Sequence, residues 1–183
     1  MLELSILGFL YEKPLHGYEL KERIQGLSGH VRTVSDGALY PAITRLVKNG
    51  LVDSRTEPGA SAAPRRTLSL TPEGRRELLA RLRTPKDAEI TDGQRFFTVL
   101  TFLGRLPDPA DQAAVLRRRQ EFLSAPASFF YEGGRPVRAE EEPDLFRRGM
   151  LRIARATGTE EKAWLVEALA ELDACRPEPP DAR

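Results

Sequence analysis

Two short, apolar-alternating segments flank nine residues, Glu57–Arg65, that read EPGASAAPR. Leu51–Thr56 is partly alternating, and Arg66–Leu70 sets Leu68 and Leu70 among polar partners. Pro, Gly, Ala and Ser at this density interrupt regular structure, so the chain doubles back here as a β-hairpin with a loose tip.

Three helical patterns precede the hairpin. Leu2–Tyr11 is apolar at Leu2, Ile6, Phe9 and Leu10, with Leu4 and Leu7 flanking, and so reads as a helix buried over much of its surface. Lys13-Pro14 stops it, because the residue before a proline avoids helical geometry. A second helix is expected from His16 to Gln25, with Tyr18, Leu20 and Ile24 inward and Gly26 and Gly29 ending it. Val31–Val34 is a short connection. Ser35 is an N-cap for a third helix, and Asp36 in the first turn suits the helix dipole. That helix carries Leu39, Ile43, Leu46 and Val47 on one face and closes at Asn49-Gly50. After the hairpin, Thr71-Pro72 reads as N-cap and N1 proline of a fourth helix with Leu78, Leu79 and Leu82 inward, and Thr84-Pro85 ends it.

The order helix, helix, helix, strand, loop, strand, helix is that of a winged helix-turn-helix domain. Three helices bury one core, and the third lies across the second with its outer face free for a major groove. The hairpin projects beside it, within reach of phosphates or a minor groove.

The remainder reads as helical. Phe96, Phe97, Leu100 and Leu103 mark one helix. Asp108-Pro109 caps another that carries Leu116 and Leu123 and falters at Pro126. Ala127–Val137, with Gly133-Gly134 and Pro136, is a connection. The last pattern runs from Phe146 through Met150, Ile153, Leu165, Leu169 and Leu172, as one long helix or as two broken near Gly158. Arg176–Arg183 is a Pro- and charge-rich tail, expected to fray.

At 183 residues, with 40% hydrophobic and 30% charged side chains, the chain suits one large or two small globular domains. No run approaches the ~18 apolar residues of a membrane span. The opening MLELSILGFLYE has no leading Lys or Arg, so a secretory signal is not expected and a cytoplasmic location is. One cysteine, Cys175, and two histidines, His16 and His30, leave no basis for a disulfide framework or a zinc site. The net charge of +1 conceals an asymmetry. Residues 1–85 hold 13 Lys and Arg against 9 Asp and Glu, and residues 86–183 hold 15 against 18. Contact with a polyanion is therefore expected from the first half.

LHGYEL (Leu15–Leu20), GALYPAITRLVKNGLV (Gly37–Val52) and PRRTLSLTPEGRREL (Pro64–Leu78) resemble the PadR family of bacterial transcriptional regulators, as does the opening LELSILGFL. GMLRIARATGTEEKAWLVEALAEL (Gly149–Leu172) is similar to the last helix of the family's longer members, with Trp164 at the usual place. The resemblance implies a mainly α fold with a small β-hairpin. A winged helix-turn-helix DNA-binding domain would span residues 1–84 and a helical dimerisation domain residues 86–175, with the tail at 176–183. The chain departs from the family pattern at its GASAAP tip, at a second strand without aromatics, and at Gly37-Ala38, where the family often has Gly-Ser.

Thr44 and Arg45 sit away from the apolar stripe of the third helix. Alone they would read as a solvated face; the resemblance implies DNA contact, with Arg able to grip guanine O6/N7 and Thr a base edge. Ser35, Asp36, Gly37, Ala38, Tyr40 and Pro41 shape the start of that helix, where free amides and the Tyr40 hydroxyl could meet phosphates. The plainer reading is a buried tyrosine and a tolerated early proline. Arg55, Arg65 and Arg66 would clamp phosphates or enter a minor groove from the hairpin. His16 and Tyr18 open the second helix, where His16 serves as a local cap or touches a phosphate. Trp164, Phe96, Phe97, Met150, Leu165 and Leu169 read as core or dimer interface. In some relatives that interface opens into a pocket for flat aromatic ligands.

The function these features imply is a homodimeric, sequence-specific double-stranded DNA-binding repressor that occludes promoters and is released by a small aromatic effector. The alternative is a winged-helix protein-interaction module without sequence-specific DNA binding. No nucleotide loop, metal cluster or nucleophile motif points to an enzyme, and no cofactor, metal or membrane partner is expected.

Overall fold

The structure, a computed structural model, describes residues 1–27, 34–57, 65–125 and 129–175. Residues 31–33 of the connection before the third helix, the hairpin tip, the stretch at Pro126 and the C-terminal tail lie outside the described residues.

Helix α1 (Leu2–Glu12) is buried without a break from Leu4 to Leu10, Ser5 and Gly8 included. A helix apolar on every side can only be an interior element. Pro14 leaves the next residues extended, and Leu15–His16 forms a short strand, β1. Helix α2 (Gly17–Leu27) follows, with Leu20 and Ile24 buried. It begins one residue later than the sequence suggests and continues through Gly26. The start is set by pairing: Leu15 and His16 lie opposite Leu68 and Thr67 of a later strand. The His16 backbone N–H donates to Glu19 Oε2 at 2.9 Å, half of a capping box.

Helix α3 (Asp36–Lys48) buries Leu39, Ala42, Ile43 and Leu46. Ser35 occupies the N-cap position, but its side chain makes no cap hydrogen bond. Gly50, at φ +70°, turns the chain into strand β2 (Val52–Glu57). Strand β3 (Arg65–Leu70) pairs with β2 from Val52↔Leu70 to Glu57↔Arg65. The expected two-stranded hairpin is thus part of a three-stranded antiparallel sheet, ordered β1-β3-β2. A two-residue strand has too little alternation to be read from sequence; it exists because β3 offers it an edge.

Helix α4 (Pro72–Arg83) starts as expected, with Thr71 Oγ1 accepting the Gly74 N–H at 2.9 Å. Thr71 Oγ1 also donates to the Gly50 carbonyl at 2.7 Å, tying the helix start to the turn before β2. A short helix α5 (Asp87–Thr91) and helix α6 (Gly93–Leu103) follow. Phe96, Val99, Phe102 and Leu103 of α6 are buried, and α6 packs on α1 and α4. The Phe9 and Phe102 rings meet edge to face at 5.2 Å. The first compact unit therefore runs from Met1 to Pro107. Residues 86–107, expected to open the helical domain, belong to it.

The second unit, Asp108–Arg183, is built on helices α7 (Pro109–Ser124) and α8 (Leu145–Ala174). Asp108 caps α7 through the Ala110 N–H, and Asp144 caps α8 through the Phe146 and Arg147 N–H groups. Helix α8 runs unbroken through Gly158 for 30 residues. The connection expected before it holds a two-residue hairpin, β4 (Tyr131–Glu132) and β5 (Arg135–Pro136). Its turn is Gly133-Gly134, both at positive φ, as a tight hairpin requires. Ala113, Val115 and Leu116 of α7 and Leu151, Leu165 and Leu169 of α8 are buried where the two helices pack. Arg119 grips Glu161 bidentately at 2.7 and 3.0 Å. No helix among the described residues is long and apolar enough to cross a membrane.

The seat of α4 is narrow. A Cβ on Gly74 would lie 2.0 Å from the Leu51 carbonyl oxygen and 2.7 Å from Leu70 Cδ1. Gly74→Ala is expected to destabilise the first unit by about 1–3 kcal/mol, the usual cost of overpacking a seat that cannot yield. Chemical denaturation checks it, and wild-type stability would mean that α4 does not rest on the Leu51 backbone.

Candidate nucleic-acid interface

The inner face of α3 fixes what its outer face presents. At 100° per residue, Gly37, Pro41, Thr44 and Lys48 lie opposite the Leu39, Ala42, Ile43 and Leu46 stripe. All four are exposed. Pro41 sits inside the helix, where its ring nitrogen has no proton for the Gly37 carbonyl, so that oxygen has no helical donor. Thr44 Oγ1 donates back to the Tyr40 carbonyl at 2.9 Å on this exposed face. Lys48 was not singled out from the sequence. Its signal was its place, four residues beyond Thr44 on the same edge, and it has no ion-pair partner among the described residues. Asp36, in the first turn, is paired with Lys21 of α2 at 2.7 Å.

One flank of α3 forms a groove of about 250 Å³ with α2 and β3, lined by His16, Gly17, Tyr18, Tyr40, Arg66 and Leu68, with Ile43 completing the wall. The Tyr40 ring rests against Gly17, where an added Cβ would stand 3.4 Å from Tyr40 Cε1. Tyr18 stacks on His16 with 6.0 Å between ring centroids. The His16 Nδ1 lies 3.4 Å from both the Arg66 carbonyl oxygen and Thr67 Oγ1, so the imidazole braces β1 on β3. Tyr18 and Tyr40 are both at least half exposed. Tyr40 is therefore not a buried tyrosine, the plainer of the two expectations.

The strands divide the expected basic cluster. Alternation puts Arg66 on the same face of β3 as Leu68, toward the groove. Arg55 lies opposite Thr67, one register position away, and so projects from the other face. Arg66 Nε donates to Ser54 Oγ, and Arg55 Nε pairs with Asp53 Oδ2 at 3.1 Å. The side chain of Arg65 lies outside the described residues. Arg55 and Arg66 therefore do not form one clamp.

Arg45 occupies the other flank of α3, beside Ala38, and leans toward α1. Its Nε is 3.2 Å from Glu3 Oε1. The sequence shows Arg45 as one of several outward polar residues; a partner 42 positions earlier leaves no local signal.

The six residues expected at a ligand or dimer interface fall in both units. Phe96 is wholly buried in the first, and Phe97 is exposed there. In the second, Leu165 is wholly buried and Leu169 nearly so, whereas Met150 is half-buried and Trp164 is 40% exposed. Leu145, Phe146 and Ile153 are more exposed than Trp164, and with Gly149, Met150 and Ala154 they line an apolar groove on α8. Phe146, Ile153 and Trp164 share one edge of that helix by their spacing. Phe146 opens the apolar pattern read for the last helix, and Leu145, one residue before it, joins the groove as well.

Three helices, a short strand ahead of the second and a hairpin packed on the same core define a winged helix-turn-helix unit. Residues 6–80, from within α1 to within α4, match the Transcriptional regulator PadR-like family. The chain is 39% identical over 79 residues to an uncharacterized 37.1 kDa protein in transposon TN4556 of Streptomyces fradiae. That match covers 43% of this chain and 21% of the relative, so the chain spans about a fifth of that protein's length. Among solved structures, a transcriptional regulator from Clostridium thermocellum is 29% identical, with coverage of 43% and 76% and a TM-score of 0.40. Bacillus subtilis PadR in complex with operator DNA is 21% identical, with coverage of 93% and 98% and a TM-score of 0.45.

Proposed function

We propose that the protein is a sequence-specific, duplex-DNA-binding regulator of transcription that acts as a homodimeric repressor. The observation that carries this reading is the outer edge of α3. Gly37, Pro41, Thr44 and Lys48 form an exposed ridge ending in a cation that has no ion-pair partner among the described residues, flanked by Tyr18, Tyr40 and Arg66. A ridge of small residues would enter a major groove closely, and Thr44 would meet a base edge or a thymine methyl. Lys48 and Arg66 would hold phosphates, which position the helix without reading sequence. Arg45 and the two tyrosines extend the contact along the flanks, and Arg55 and Arg65 extend it on the wing.

Dimerisation would come from the second unit. The exposed apolar edge of α8 supports this, since water-facing Phe146 and Ile153 cost hydrophobic free energy that a second copy would recover. Two α3 ridges would then read half-sites about 34 Å apart, one helical turn. Repression would follow from occlusion of the promoter. Release would need an effector that binds the DNA-free state better, for which a planar aromatic compound stacked on Trp164 is the reading.

Binding of DNA selected from a random pool tests the reading directly. Lys48→Ala and Arg66→Ala are each expected to weaken binding to all duplexes and to reduce the slope of log K against log salt by about one. Thr44→Ala is expected to lower the preference for the selected sequence with little change in slope. Unchanged slopes in both cation variants would remove α3 and β3 from the contact. Light scattering at micromolar concentration is expected to give a dimer, and Ile153→Glu a monomer; a monomeric wild type would sink the half-site geometry. A phenolic ligand is expected to quench Trp164 fluorescence and, because linkage is reciprocal, to lower DNA affinity. Quenching with unmoved DNA affinity would mean a ligand without a switch.

A further inference from the structure

Between Met1 and Glu12 the only charged side chain is Glu3, at the N-terminal end of a helix that is buried from Leu4 to Leu10. Its carboxylate faces two guanidinium groups from different elements. Oε1 is 3.2 Å from Arg45 Nε of α3, and Oε2 is 3.5 Å from an Arg81 terminal nitrogen of α4. Arg81 is held in turn by Glu77, whose Oε1 is 2.6 Å from its Nε. These residues line a charged cleft beside α3 that Lys86 and Glu89 extend. The Arg45 side chain is 60% exposed and that of Glu3 31%, so the pair is accessible to water and to a competing anion.

We propose that Glu3 is an internal competitor for Arg45, holding it against α1 until DNA takes it. The inference rests on the reading of α3 as the DNA-contacting helix. Arg45 stands one turn beyond Pro41 and next to Thr44, at the flank of the ridge. A flexible guanidinium there reaches either Glu3 or a nucleic-acid oxygen, and one set of Nε and Nη protons cannot serve both in full. Arg81 makes the exchange cheap. When Arg45 departs, Glu3 keeps a second cation already within 3.5 Å, so no carboxylate is left uncompensated. The network therefore lowers DNA affinity by the strength of one exposed ion pair, a modest and reversible amount. It also gives Glu3 a role beyond favouring the N-terminus of α1 through the helix dipole, which would need no contact with α3.

The test is a double-mutant cycle in the full chain, titrated against a selected duplex at fixed salt, with thermal melting to confirm that each variant folds. Glu3→Gln is expected to bind about two- to five-fold tighter than wild type, the range of an exposed pair. In an Arg45→Ala background the same substitution is expected to change nothing. Arg81→Ala, which leaves the whole carboxylate to Arg45, is expected to weaken binding, and to do so less in the Glu3→Gln background. Should Glu3→Gln fail to fold, Glu3→Asp, whose shorter side chain retreats from Arg45, is expected to tighten binding in the same sense. Unchanged or weaker binding by a folded Glu3 variant overturns the proposal, as does a gain that persists without Arg45. Those outcomes leave DNA binding itself intact. A wild-type protein that binds no duplex overturns the DNA-binding reading, and this one with it.

Discussion

The burial of α1 on every side is the constraint on which the first unit depends. A helix whose seven central residues are all inaccessible must be enclosed, and α2, α3, α4, α6 and β3 all pack against it. Gly8 shows how tight the enclosure is. A Cβ there would come within 2.5 Å of the Phe102 ring, so only glycine lets α6 approach while Phe9, next along the helix, meets the same ring edge-on. Polar contacts secure the rim. Glu12 takes Arg23 of α2 at 3.0 Å and Arg105, just past α6, at 2.7 Å, while Arg75 of α4 lies over the Tyr11 ring.

That enclosure decides which face of α3 is offered outward. Leu39, Ala42, Ile43 and Leu46 are committed to the shared core, so helical geometry leaves Gly37, Pro41, Thr44 and Lys48 on the far side. The flanks are then assigned by neighbours. One meets β1, α2 and β3 and becomes an aromatic groove; the other meets the start of α1 and becomes an ion network. A single helix thus carries a ridge of small residues ending in Lys48, an aromatic side and an ion-paired side.

The second unit rests on a different device. Its two long helices bury a modest set of aliphatic side chains and, among them, the Arg119–Glu161 pair, 5% and 14% exposed. A bidentate pair at that depth holds one register of α7 against α8, since sliding either helix by a turn would separate two desolvated charges. The register in turn fixes which edge of α8 carries Phe146, Ile153 and Trp164 outward.

Local chemistry made much of this legible in advance. Proline and glycine positions, caps at Thr71 and Asp108, and apolar spacing act within a few residues, so the longer helices, the hairpin and the inner stripe of α3 could be read from the chain itself. Thr44 was legible as an outward residue for the same reason, whereas the exposure of Tyr40 was not, since a tyrosine near an apolar stripe reads equally as buried. What the sequence could not show depends on partners far along the chain. His16 became a strand residue because β3 lies beside it, and Arg55 and Arg66 parted because strand register sends them to opposite faces. Residues 86–107 joined the first unit because Phe102 fits over Gly8. Arg45 turned to Glu3, 42 positions away, because the packing of α3 on α1 brings them within 3.2 Å. The helices and the hairpin were determined by interactions a few residues apart; β1 and the faces the elements present were decided only when the core closed around α1.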